Sequence, residues 1–333
     1  MTVQTMESEA RRFQPQVLVA EDLRMSYGQR EALRGLSFSL KAGRVLGFLG
    51  PNGAGKTTSI RILTTILRPT SGHFSVAGIR SDEPEKIRQK IGVLPENLGL
   101  PKNITGVEYL TFFGQLYGLS SAAAKAKARE LLDAVGMSQR GRSLVGTYSH
   151  GMRQRLGIAR SLVNDPVVVF LDEPTLGLDP RGQQELLALV RWVAQEQNVG
   201  VILCSHLLSE VESVCDDVII LSTGQVVAKG TVAEVIGQTQ RDVLRVRVPS
   251  ESVTPAIEVL KGLPGVMSAT STDVTAGWIR VEVPDPGPGP TDNNANNRIV
   301  EAVIDAGIPI LGLETAGGRL QDVFLQITEQ VIK

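Results

Sequence analysis

An α/β fold built on a largely parallel sheet, with a small α+β domain behind it, is what this sequence predicts, on three observations. The apolar run Val45–Leu49 empties into Gly50-Pro51-Asn52-Gly53-Ala54-Gly55 and then Lys56-Thr57-Thr58, a strand, a tight turn and a helix start. Two short apolar runs, residues 167–171 and 199–204, flank a helical pattern over 183–195, the signature of a β–α–β unit with strands buried on both faces. Near residue 240 the composition shifts, and the remaining chain reads strand, helix, strand, strand, helix, strand, helix.

The elements follow in order. Residues 1–16 are polar and read as a disordered tail, with no apolar core to make a signal peptide. Strands are expected over 17–20, 37–40 and 45–49, then a helix from about 57 to 67 that Pro69 stops. Helices over 108–117 and 122–135 show three- and four-residue apolar spacing, and Met152, Leu156, Ala159 and Val163 mark one face of another. Residues 218–221 and 226–228 form a hairpin turning at Thr223-Gly224. The expected domains are therefore 17–238 and 239–333. In the second, strands over 243–248, 265–271, 278–283 and 308–313 alternate with helices over 256–263, 299–306 and 320–328, a βαββαβ order with a terminal helix. The Pro-, Gly- and Asn-rich stretch 285–297 is expected to be a flexible loop.

The glycine-rich turn is a phosphate cradle. Glycines at 50, 53 and 55 let successive N–H groups converge on an anion, and the following helix adds the positive end of its dipole. Lys56 can reach β- and γ-phosphates and the Thr57 hydroxyl can ligate Mg²⁺. The plainer alternative is a glycine-rich loop that happens to end in Lys-Thr. The strand 167–171 delivers Asp172-Glu173-Pro174 at its carboxyl end, where Asp172 can hold Mg²⁺ directly or through water and Glu173 can polarise an attacking water. Alternatively, the two acids simply open a surface turn before Pro174.

The bulk numbers bound the class. With 333 residues, 42% hydrophobic and 21% charged, the chain can build two cores of ordinary globular composition. A net charge of −1 gives no reason to expect nucleic acid or an acidic membrane as a direct partner. Cys204 and Cys215 lie in apolar sequence and imply neither disulfides nor a metal cluster. No stretch approaches the ~18 apolar residues of a membrane helix, so work at a membrane requires another chain to supply the span.

Two further segments carry a family resemblance. Tyr148-Ser149-His150-Gly151-Met152-Arg153-Gln154-Arg155 precedes the acidic strand, Gly177-Leu178-Asp179-Pro180 follows it, and His206 closes the strand ending Leu203-Cys204-Ser205. In this order, over about residues 17–238, the chain resembles the ATP-binding-cassette ATPases. The resemblance implies a P-loop NTPase cassette with an antiparallel β subdomain and a helical subdomain, and ATP and Mg²⁺ as cofactors. It further implies two chains head to tail, ATP lying between one chain's phosphate loop and the other's Ser149 and Gly151. Asp179 would then face the opposing chain, His206 would contact the γ-phosphate, and Tyr27 in Met25-Ser26-Tyr27-Gly28 would stack on adenine. Ser149 and Gly151 at a helix start fit an anion-facing role. The plainer reading of Tyr27 is a half-buried strand tyrosine.

Departures narrow the resemblance. The signature reads Tyr-Ser-His-Gly-Met, and Ile91-Gly92-Val93-Leu94-Pro95-Glu96 places a carboxylate where the Q-loop usually has glutamine. With the segment 320–328, these variants are similar to the bacterial export branch serving drug, polysaccharide, lipid and sodium efflux. Glu96 could join Thr57 and Asp172 around Mg²⁺, or point to solvent while the loop acts through its backbone. The expected function is the ATPase subunit of an exporter, a homodimer on the cytoplasmic side of the cell membrane, bound there through a separate transmembrane permease. Rival readings are a soluble cassette acting on ribosomes or chromosomes, against which stand the single cassette and the lack of heptads or basic surplus, and a non-hydrolysing ligand sensor.

Overall fold

The chain begins with two long antiparallel strands, β1 (Gln16–Tyr27) and β2 (Arg30–Lys41), followed by β3 (Val45–Leu49), α1 (Lys56–Leu63), β4 (Ser71–Val76), β5 (Ile79–Arg80), α2 (Pro84–Arg88) and β6 (Ile91–Leu94). A helical insert comes next, α3 (Gly106–Leu116) and α4 (Ser121–Ala134), leading to α5 (His150–Ser161). Then come β7 (Val168–Asp172), α6 (Pro180–Glu196), β8 (Gly200–Cys204), α7 (Leu208–Val214), β9 (Asp217–Ser222) and β10 (Gln225–Thr231). The structure is a computed structural model and describes residues 15–237, 242–273, 275–283, 293–316, 320, 321, 323 and 324.

Two sheets make the first unit. One is antiparallel, in the order β2-β1-β4-β5; the other runs β10-β9-β3-β8-β7-β6 and is parallel from β6 through β9, with β10 turned antiparallel at its edge. β3 and β8 are buried at every position and β7 at all but Asp172, which is why they read as unbroken apolar runs. The core packs Leu18, Leu36 and Phe74 of the first sheet against Phe48, Ile202 and Ile219 of the second, with Ile62 of α1 among them. Phe38 and Phe48 meet edge to face at 5.4 Å across that layer. The insert is capped locally: Thr105 and Glu108 form a reciprocal capping box on α3, and Ser120 caps α4.

Several expectations shift. β1 and β2 extend far beyond residues 17–20 and 37–40, because a half-exposed hairpin with register shifts hides its length from an apolar-run criterion. α1 stops at Leu63 rather than near 67: Thr64 Oγ1 donates to Ile60 O at 2.7 Å, and Thr65 takes a positive φ of 63°, held by Arg88 Nε at 2.8 Å. Residues 15 and 16, expected in the tail, belong to the fold, since Pro15 O accepts Ala42 N–H at 3.0 Å and Gln16 opens β1; the rest of that expectation, residues 1–14, lies outside the described residues. The β9–β10 hairpin turns at Thr223 and Gly224 as expected, with φ of 47° and 82°, both of the sign a tight primed turn requires.

The chain divides into two units after Val232, at the start of α8 (Val232–Gly237) and ahead of the composition shift near residue 240. The second unit holds β11 (Asp242–Arg247), α9 (Val253–Lys261), β12 (Ser268–Asp273), β13 (Trp278–Val283), α10 (Asn293–Asp305) and β14 (Gly312–Ala316). Its antiparallel sheet has the order β12-β13-β11-β14, the arrangement of a split βαββαβ fold. A separate core forms from Leu244, Val246, Ile279 and Val281 with Leu260 and Val303 of the helices. The stretch expected as a loop is corrected at its end: residues 293–297 open α10, while 284–292 lie outside the described residues. β14 starts at Gly312, not 308, because Ile308 tucks into the core beside Pro309, which has no N–H for a ladder. Of the helix expected over 320–328, residues 320, 321, 323 and 324 are helical and the rest lies outside the described residues. Among the described residues no helix is long and apolar enough to cross a membrane.

Candidate nucleotide-binding and catalytic site

The loop between β3 and α1 is shaped by what its glycines avoid. A Cβ on Gly50 would stand 2.3 Å from Leu221 O, and one on Gly55 would stand 2.9 Å from Ala32 O. With Gly53 they hold φ values of 154°, 80° and 108° in chain order. The β9–β10 turn supports the loop from behind, Gly224 N donating to Ala54 O at 3.0 Å. Lys56 is nearly buried, and its ammonium donates to Gly50 O at 2.5 Å and Pro51 O at 3.2 Å. Thr57 lies in the first turn of α1. Tyr27, Asn52, Gly53, Ala54, Gly55, Lys56, Thr57 and Thr58 line one cleft of about 420 Å³, with Tyr27 half exposed at its rim. Arg30, Ala32 and Arg61 line the same cleft and were not singled out in the sequence. Arg30 pairs across the hairpin with Tyr27 and puts Nη2 3.9 Å from where a Gly53 Cβ would stand. Its only signal was its place three residues after Tyr27. A loop that excludes side chains and a cleft carrying three cations fit a polyphosphate.

β7 carries Asp172 to the carboxyl edge of the parallel sheet. Burial, and then the neighbouring charges of Glu173 and Glu96, raise its carboxyl above the usual aspartate range, with Lys56 and Arg61 pulling the other way. Glu173 takes a positive φ of 49° and anchors its N–H to Cys204 O at 3.0 Å. Its Oε2 lies 2.8 Å from His206 Nδ1, so β7 and β8 bring together two residues far apart in sequence. Glu96 is exposed just after β6, close enough for its charge to act on Asp172. Among the described residues no group of three or more His, Cys, Asp and Glu could hold a metal alone. The hydroxyl of Thr57 and the carboxylate of Asp172 suit Mg²⁺, a hard cation usually bound by one or two carboxylates with substrate phosphates and water, where it would neutralise phosphate charge.

Ser149 and Gly151 stand elsewhere. Ser149 caps α5, its Oγ accepting Met152 N–H at 3.2 Å. Tyr148 is buried beneath it and donates its hydroxyl to Arg140 O at 2.7 Å, while Arg153 Nε donates to Tyr148 O at 3.1 Å. His150 Nε2 lies 2.8 Å from Leu176 O, tying this turn to the loop before α6. Asp179 caps α6 through Gly182 N–H at 3.1 Å. Ser149, Gly151 and Asp179 line a second cleft of about 410 Å³ that shares no residue with the phosphate-loop cleft.

Comparison with known proteins identifies the family. The family described as ABC transporter matches residues 33–176. The linearmycin resistance ATP-binding protein LnrL of Bacillus subtilis (strain 168) is 32% identical over 95% of this chain and 100% of its own length. The daunorubicin/doxorubicin resistance ATP-binding protein DrrA of Streptomyces peucetius is 38% identical over 91% of this chain and 89% of its own length. A solved ATP-binding subunit of an ABC transporter is 32% identical, with a TM-score of 0.59 over 67% of this chain and 92% of that one. The chain belongs to the ABC transporter family, as an ATP-hydrolysing subunit of the export type.

Proposed function

We propose that two copies of this chain close head to tail on two Mg²⁺-bound ATP molecules and drive export through a separate transmembrane permease on the cytoplasmic side of the membrane. The observation that carries the dimer is the separation of the two clefts: Lys56 and Thr57 line one, Ser149 and Gly151 the other. A second chain supplies to each nucleotide the half that its own chain keeps elsewhere. Within each site Lys56 and the loop N–H groups hold the phosphates. Asp172 and Thr57 hold the cation, and Glu173, kept in place by His206, orients the attacking water. The exposed Glu96 and the exposed Phe112 and Leu116 of the helical insert suit contact with a permease. The names of the relatives attach antibiotic resistance to those proteins, which favours efflux here over action on ribosomes or chromosomes; the cargo is met by the permease.

Light scattering with a slowly hydrolysed ATP analogue tests the dimer. The chain is expected to be monomeric without nucleotide and dimeric with it, and Ser149→Arg to remain monomeric while still binding nucleotide. A parental chain that hydrolyses ATP yet stays monomeric at saturating analogue overturns the proposal.

A further inference from the structure

Behind His206 lies a buried carboxylate that the chemistry above does not use. Glu210, in α7, is 3% exposed, and its Oε2 accepts the hydroxyl of Ser205 at 2.6 Å. The same Ser205 oxygen accepts Leu207 N–H at 3.0 Å, and Ser205 is fully buried. Glu210 N–H in turn donates to Leu207 O at 3.2 Å. His206 is thus flanked by Ser205, which is bonded to the Glu210 carboxylate, and by Leu207, which is held by the Ser205 hydroxyl and the Glu210 backbone N–H. α7 itself is seated hard on β3: a Cβ on Gly47 would stand 2.6 Å from Val211 Cγ1 and 3.0 Å from Cys215 Sγ.

Burying a carboxylate on one hydroxyl donor is costly, and Oε1 of Glu210 has no partner among the described residues. An apolar side chain would fill the space more cheaply, so packing alone does not account for a glutamate there. What the carboxylate does is fix the turn from Ser205 to Leu207. The opposite side of that turn holds the catalytic segment, through Cys204 O to Glu173 N–H at 3.0 Å and His206 Nδ1 to Glu173 Oε2 at 2.8 Å. The geometry points to Glu210 as a positioning residue that acts through Ser205 to set His206, and through His206 the carboxylate of Glu173. A displacement of about 1 Å at a reacting group can cost on the order of 10²-fold in rate. The inference rests on the proposed role of His206 and Glu173.

The test uses the full-length chain with Glu210→Ala, Ser205→Ala, Glu210→Gln, His206→Ala, and Glu210→Ala combined with His206→Ala. Glu210→Ala and Ser205→Ala are each expected to lower kcat about tenfold while KM for ATP stays within about twofold. Glu210→Gln, whose amide oxygen can still accept the Ser205 hydroxyl, recovers most of the turnover. The combined variant is no slower than His206→Ala, because the clamp has nothing left to position. A folded Glu210→Ala chain at the parental rate overturns the inference, and so does full multiplication of the two losses. Where Glu210→Ala fails to fold, Ser205→Ala reads the same clamp, and an unchanged kcat there is equally fatal. A His206→Ala chain at the parental rate overturns both this inference and the role of His206; loss there with none at Glu210 or Ser205 overturns the inference alone.

Discussion

His206 Nδ1 and Glu173 Oε2 stand 2.8 Å apart, joining the end of one parallel strand to the turn after its neighbour. The imidazole meets the carboxylate that is proposed to orient water, and Glu173's own backbone is in the left-handed region, where a non-glycine residue is uncommon.

Glu173→Gln is expected to keep ATP affinity and lose about 10²–10⁴-fold in turnover, because the amide keeps the shape but not the charge that activates water. It should also accumulate as an ATP-bound dimer in size-exclusion chromatography. A monomer hydrolysing at the parental rate contradicts the assignment. Lys56→Ala differs in losing nucleotide affinity itself.

Arg30→Ala is expected to raise KM for ATP on the order of fivefold with kcat nearly unchanged, the scale of one exposed charge-assisted contact. Because Arg30 lies beside Gly53, the loss should be larger for ATP than for AMP and shrink as salt rises. An equal loss for both nucleotides would place the side chain against the base instead.

Asp172→Asn should raise the melting temperature of the nucleotide-free protein at neutral pH while abolishing Mg²⁺-dependent turnover. Burial and its acidic neighbours raise the Asp172 carboxyl above the unfolded value, so between those two values the folded state keeps a proton that the unfolded state has lost, and above both it bears a buried charge. Stability therefore falls as pH rises from the ordinary aspartate value through the folded one. The advantage of the asparagine should fade toward pH ~4. Parallel melting curves of the two proteins across that range would remove the electrostatic explanation.

Glu96→Gln removes one of the charges bearing on Asp172. The isolated chain should then hydrolyse ATP faster or need less Mg²⁺, and respond less to the permease. Mg²⁺ titrations of both proteins, with and without permease, check this; superimposable curves would mean that Glu96 acts through its backbone alone.

A chain ending at Gly237 should fold and hydrolyse ATP, since the two units have separate cores and every residue assigned to nucleotide or metal lies in the first. Circular dichroism with ATP binding decides it, and a folded but nucleotide-blind product would refute the independence of the first unit.

What was legible in the sequence was what is local or wholly buried. Spacing alone groups Gly50 through Thr58, and unbroken apolar runs mark β3, β7 and β8, whose two faces are both covered. Ser149 is legible as a helix start and Asp179 only through the family resemblance, and both are helix caps. Arg30 escaped notice because its place beside the phosphate loop depends on the cross-strand pairing with Tyr27. Glu210 escaped because a lone glutamate in a short helix looks like a solvated residue until its burial is seen. The C-terminal end of α1 and the start of α10 differ from the sequence expectation for local reasons: Thr64 and Thr65 break the helix before the proline does, and asparagines that read as loop open a helix instead.

The two clefts, with no residue in common, have a genetic consequence. In a head-to-tail pair, lesions at Lys56 and at Ser149 carried by different chains fall together in one composite site and leave the other whole. Two alleles, each inactive alone, would then complement when co-expressed, whereas both lesions on one chain, paired with a parental chain, would spoil one half of each site.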